Sequence, residues 1–156
     1  MSQPGYDPPL PPPSPEMRLQ TKEHFMHLQP DSFKILKEAP SFLVRDTDIE
    51  RLSGGAVGAK IYRANPEVDD HSTVWHWHEW AYQVAYVTRG WAEYEFEGVG
   101  VVRVEAGSVL FQLPKNRHRE ISSSPDLEVI EITIPGQIKN IATYPNEQGE
   151  WVSQEV

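Results

Sequence analysis

Residues 91–97 read WAEYEFE. Successive side chains of an extended chain point to opposite faces, so Ala92, Tyr94 and Phe96 share one side and Glu93, Glu95 and Glu97 the other. That is a strand with one dry face and one wet face. Similar segments lie on either side: AVGAKIYR (56–63), VWHWH (74–78), YQVAYVT (82–88), VGVVRVE (99–105), SVLFQL (108–113) and LEVIEITI (127–134). They are rich in Val, Ile, Tyr, Phe and Trp, as strands are. Their short connectors hold Gly90, Gly98, Gly107, Pro114 and the SSSPD run of 122–126. No stretch in this region keeps a helical period over ten residues. Many short antiparallel strands joined by tight turns predict an all-β sandwich or barrel.

Outside this block the chain changes character. Seven of its 14 prolines lie between Pro4 and Pro15. Proline lacks the N–H and fixes φ, so residues 1–20 are expected to form a disordered or polyproline-II tail. Residues 21–40, broken by Pro30 and Pro40, are read as an arm, with a short strand predicted at Phe42–Arg45. The barrel is expected over 41–136, followed by a polar extension, 137–156, that leaves it.

With 156 residues the chain is long enough for one domain with its own core. Its 14 basic and 23 acidic residues give a net charge of −9, and no basic cluster is available to track a phosphate backbone, so no nucleic-acid partner is expected. The absence of cysteine excludes disulfides, thiolate metal sites and a cysteine nucleophile. No apolar run is long enough to span a membrane, no membrane partner is expected, and the N-terminal residues lack the pattern of a signal peptide. The expectation is a cytoplasmic protein.

The chemistry concentrates in histidines. His76 and His78 are two apart on a strand, so both imidazoles point one way while Trp75 and Trp77 point the other. His118 follows 40 residues later, just after a strand and a Pro-containing turn. Convergence of the three would make a divalent-metal site, and three ligands leave positions open, as catalytic metals require. His71, in a polar loop, is expected to be exposed.

In these residues the sequence resembles the cupin superfamily. His76-Trp77-His78 is followed by Gln83, at the place of the first motif's glutamate, and by Gly90 seven positions later. Gly107 and His118 keep the spacing of the second motif, with Leu113 and Lys115 in place of its proline and glycine and Pro114 preserving a turn. The resemblance implies a double-stranded β-helix, or jelly-roll barrel, binding a divalent metal inside one end. It implies Fe(II) first, with Zn, Mn, Ni or Cu as alternatives, held by His76, His78 and His118. Gln83 would be a fourth ligand or a hydrogen-bonding neighbour. A neutral ligand set leaves the metal its full charge, which favours an anionic chelating substrate.

Three-histidine members of this kind include Fe(II) dioxygenases. The expected function is therefore a non-haem Fe(II) dioxygenase acting on a small chelating molecule: a diketone, a keto or hydroxy acid, or a thiol. The alternatives are a non-oxidative isomerase, lyase or cyclase, and a small-molecule-binding cupin without catalysis. Against the non-oxidative alternative stands the lack of an in-barrel carboxylate base once Gln83 replaces the glutamate. Tyr94, Phe96 and Phe111 are candidates to line the pocket, and Arg119 to hold a substrate carboxylate. The resemblance also implies a homodimer, with Trp75, Trp77 and Trp80 as outward-facing contacts.

Overall fold

A computed structural model describes residues 32–79, 82–137 and 139–155. The proline-rich tail, the first part of the arm and Trp80 lie outside the described residues. Among the described residues, twelve strands and one short helix follow in order: β1 (Lys34–Ile35), β2 (Phe42–Asp46), α1 (Ile49–Leu52), β3 (Gly58–Ala64), β4 (His76–Glu79), β5 (Tyr82–Arg89), β6 (Trp91–Phe96), β7 (Gly100–Glu105), β8 (Val109–Gln112), β9 (His118–Ser123), β10 (Glu128–Ile134), β11 (Lys139–Pro145) and β12 (Trp151–Glu155). They form two six-stranded antiparallel sheets, ordered β1-β2-β3-β10-β5-β8 and β12-β11-β4-β9-β6-β7. The chain crosses repeatedly between them, the signature of a jelly roll.

The core lies between the two sheets. Phe42, Ala64, Ala85, Val87, Ala92, Tyr94, Phe96, Val104, Leu127 and Val129 are buried there. Strand β6 behaves as its alternation predicts. Its outward glutamates, and Glu97 in the turn after it, meet arginines from the neighbouring strands and turn: Glu93 with Arg103, Glu95 with Arg119 and Glu97 with Arg117. Exposed pairs of this kind add little stability but keep the face soluble.

Two turns show why particular residues stand where they do. Gly90 joins β5 to β6 with φ 68°, and a Cβ there would lie 2.2 Å from the Ser124 hydroxyl oxygen. Lys115, at the place of the second motif's glycine, also adopts a left-handed φ of 63°. Its N–H donates to the His78 carbonyl at 3.0 Å, so the turn before β9 is tied to β4 despite the missing glycine.

The C-terminal residues do not leave the barrel. Strand β11 pairs along β4, with Asn140 opposite His78 and Ala142 opposite His76, and β12 pairs along β11. Ile141, Ala142 and Thr143 are buried. The polar composition of the last residues hides this because β12 is a solvent-exposed edge strand. His71, expected to be exposed, is also buried: its Nε2 lies 3.2 Å from the Asn65 carbonyl and its Nδ1 3.0 Å from the Ser123 hydroxyl.

Candidate metal centre

His76 opens β4 and His118 opens β9, and the two are directly opposed in the ladder between these strands. His78 follows two residues along on the same face. Each imidazole places a ring nitrogen within 4.8 Å of the other two, and the ring centroids are 4.4–5.2 Å apart. One antiparallel pairing thus brings together residues 42 apart in sequence.

The outer nitrogen of each ring is already engaged. His76 Nδ1 lies 2.9 Å from the Val74 carbonyl, and His118 Nδ1 lies 2.9 Å from the Asn116 carbonyl. The two strand-opening histidines therefore use the same device, a bond to the carbonyl two residues back. His78 Nδ1 lies 2.7 Å from Asn140 Oδ1 on β11. All three partners are oxygen acceptors, which fixes Nδ1 as the protonated nitrogen and leaves Nε2 with a free lone pair. His78 Nε2 is buried without a hydrogen-bond partner. An orphaned buried base among two others of its kind suits a metal, and outer bonds of this sort orient metal-ligating histidines.

The electrostatics agree. Burial, followed by the neighbouring imidazoles His76 and His118, holds His78 down at about 3. Burial and then His76 hold His118 down at about 4. Both rings are thus neutral at physiological pH, the form that binds a cation.

The histidines line a cavity of about 710 Å³ between the two sheets, a volume typical of small-molecule sites. The first sheet supplies the facing wall: Lys60 and Tyr62 from β3, Glu131 and Thr133 from β10, Gln83 from β5 and Gln112 from β8. Glu131 lies inside the barrel and is hydrogen-bonded to Gln83 and Tyr62. Burial pushes its carboxyl up to about 7, with Glu120 adding to the rise and Lys60 opposing it. Glu120, on β9, also lines the cavity and accepts a hydrogen bond from the Thr73 hydroxyl. Burial raises the phenols of Tyr62 and Tyr94, so both remain protonated donors.

The other candidates from the sequence are placed as follows. Gln83 is buried on the wall across from the histidines, its amide engaged by Glu131 and its Oε1 without a partner. Tyr94 lines the cavity. Phe96 packs in the core with its ring centroid 5.7 Å from that of His118, supporting the histidine rather than facing the cavity. Phe111 does not line the pocket. It is 55% exposed on the outer face of β8 and stacks on Tyr82. Alternation along β8 turns Leu110 and Gln112 inward instead. Arg119 does not reach the cavity either. Its Nε and Nη2 both donate to Glu95 Oε2, at 2.8 and 2.6 Å, and its guanidinium lies over Trp75 on the outside of the second sheet.

Sequence reasoning missed Glu131, Glu120 and Asn140. Asn140 lay in the extension assigned outside the barrel. Glu131 sits between Ile130 and Ile132, and the isoleucines draw the eye inward. One sequence signal was present: Glu131 has the parity of Val129 and Thr133, and all three face in.

Comparisons with known proteins agree with this architecture. The AraC-like ligand binding domain family matches residues 58–139. A search of curated protein sequences finds no match. Among solved structures, the polyketide cyclase RemF from Streptomyces resistomycificus aligns with a TM-score of 0.60 at 15% identity, over 78% of this chain and 89% of that one. KdgF from a Halomonas species aligns with a TM-score of 0.54 at 20% identity, over 67% and 88%. A sugar phosphate isomerase of the cupin superfamily from Silicibacter pomeroyi aligns with a TM-score of 0.54 at 11% identity, over 79% and 85%. At these identities the similarity speaks for the fold.

Proposed function

The chain belongs to the cupin superfamily, through the AraC-like ligand binding domain family, and from that membership we propose a metal-dependent enzyme that moves a proton on a small molecule, as an isomerase, lyase or cyclase does. The observation that carries this reading is the pairing of His76, His78 and His118 on one wall of the cavity with Glu131 on the facing wall. The three Nε2 atoms would hold a divalent cation. When bound, the cation supplies Lewis-acid polarisation of a substrate carbonyl or hydroxyl.

The remaining work falls to the chain's own residues. Glu131 is half-buried inside the barrel, its carboxyl is raised to about 7, and it is placed to accept a proton from a substrate carbon or hydroxyl. Gln83 and Tyr62 hold its carboxylate in place. Gln83 is a hydrogen-bonding group of the cavity in this reading: its amide nitrogen is committed to Glu131, and its Oε1 has no protein partner. Tyr94 and Tyr62 offer protonated phenols to a developing oxyanion. The in-barrel base that the sequence lacked at position 83 is supplied from β10.

A second reading, the Fe(II) dioxygenase, is favoured by one feature. The histidine cluster contains no carboxylate, so its ligand set is neutral. Elemental analysis of protein purified without a chelator, with His118→Ala as control, tests both. About one equivalent of Zn, Mn or Ni in the parent only, with no oxygen uptake, supports the proton-transfer reading. Iron with substrate-dependent oxygen uptake supports the dioxygenase. No metal after reconstitution overturns both and leaves a ligand-binding barrel.

The homodimer implied by the resemblance belongs to this proposal. Its contact face is the outside of the first sheet, where Tyr86, Val109, Phe111, Ile132 and Ile134 are exposed together, rather than the face of Trp75, which Trp151 and Arg119 cover. Light scattering on Tyr86→Glu/Ile132→Lys should show monomer where the parent shows dimer, and a monomeric parent overturns the assignment.

A further inference from the structure

The walls of the cavity carry a marked charge and hydrogen-bond bias. Five carboxylates line it: Glu38, Glu50, Asp70, Glu120 and Glu131. Lys60 is the one cation among the described lining residues, and no arginine is among them. The arginines of the second sheet point outward instead, where Arg103, Arg117 and Arg119 are each held by a glutamate of β6 or of the turn after it. A carboxylate or phosphate substrate would find no bidentate guanidinium clamp. Even with Glu131 protonated, four carboxylates face one ammonium.

A second, independent feature points the same way. Gln83 and Gln112 are directly opposed between β5 and β8. They are 6% and 5% exposed, both line the cavity, and the Oε1 of each is buried without a partner. Buried acceptors without a partner carry a cost that a ligand's donor relieves. In Gln83 the amide nitrogen is spent on Glu131, which leaves the oxygen for the ligand.

Resting on the metal-enzyme reading, we infer that the substrate is a small molecule rich in O–H or N–H donors that bears no carboxylate or phosphate. This reverses the sequence expectation of an anionic chelate. That expectation counted only the metal and its neutral histidines. The carboxylates around the cavity, Glu131 on the facing wall and Glu120 on the histidine strand β9 among them, offset the metal's charge for any ligand that spans it. The metal would take a neutral oxygen of the substrate, while the acceptor-lined wall receives its donors.

Malonamide and malonate form a matched pair of probes. They have the same three-carbon skeleton and each offers two oxygens for a six-membered chelate, but one is neutral with amide carbonyls and N–H donors and the other is a dianion with carboxylates. Their binding to Co(II)-loaded protein is read from the visible spectrum, in the parent and in Glu120→Gln/Glu131→Gln. The parent is expected to bind malonamide at least as tightly as malonate. The double variant should shift the ratio toward malonate by about tenfold or more. Lys60→Met, which removes the lone lining cation, should shift it the other way, and it guards against a double variant that fails to fold. Tighter malonate binding by the parent, no malonamide binding, or a ratio unmoved by the variants overturns the inference. Failure of the parent to take up Co(II) overturns the metal reading instead. The same pair is then measured by calorimetry on metal-free protein, where the preference for malonamide is expected to persist.

Discussion

Strands β6 and β10 carry opposite arrangements of the same kinds of residue. In β6 the apolar residues Ala92, Tyr94 and Phe96 are buried and the glutamates face outward. In β10 the polar residues Glu131 and Thr133 face the interior, while Ile132 and Ile134 are exposed. Strand β6 backs the histidine His118 with Phe96, brings only Tyr94 to the cavity and follows the ordinary rule of apolar-in, polar-out. Strand β10 starts in the core, at Val129, and then passes along the cavity, whose wall must be polar to bind anything specifically. Alternation marks both as strands. Which face is interior depends on what the interior holds.

The comparison can be broken most forcefully at the inner face of β6. Phe96→Ala removes a buried ring that also backs His118, and should cost about 3–5 kcal/mol in urea unfolding, with weakened metal uptake. The inner face of β10 should respond in the reverse sense. Glu131→Gln is expected to lower turnover by about 10²–10⁴-fold on the proton-transfer reading, with little loss of stability. A variant that loses stability but keeps turnover would assign Glu131 a packing role.

Asn140→Ala, one strand removed from the ligands, should weaken metal binding about 10–100-fold through the freed His78 ring, as competition with a fluorescent chelator would report. Titration gives a finer test. A Glu131 carboxylate acting as base must be ionised, so turnover should rise about tenfold per pH unit below about 7 and level off above it, a limb absent from Glu131→Gln. Stability follows from the same shift. A folded-state value raised from about 4.5 to about 7 means that the folded state binds the extra proton, so the group's contribution falls as pH rises through that window. His78 and His118 have lowered values and act oppositely: metal-free protein should lose stability as pH falls below about 6.5. The smallest effect is expected on the outer face of β6. Glu95→Ala breaks an exposed ion pair and should change stability by no more than about 0.5 kcal/mol.

Much of the fold was legible because the signals are local. Alternation, turn glycines and β-branched residues each act within a few residues, so strands β3 to β8 and β10 could be read directly, whereas the polar β9 could not. The HxH pair was legible for the same reason, since parity alone puts His76 and His78 on one face. Phe111 and Arg119 were misplaced because parity says which residues share a face and not which face points inward. Asn140 was missed because a polar edge segment reads as loop unless its ladder partner is known.

By itself, then, the sequence determined an all-β barrel, a three-histidine cluster and the absence of thiol chemistry. Those follow from side-chain period, residue type and motif spacing. Tertiary structure alone decided that β11 closes against β4 and hands Asn140 to His78. It also decided that Glu131 and Gln83 meet across neighbouring strands, and that the arginines are spent on the outer face. Each of these depends on a pairing between residues far apart in the chain. Such pairings are set by the closure of the two sheets as a whole, and no short window of sequence contains them.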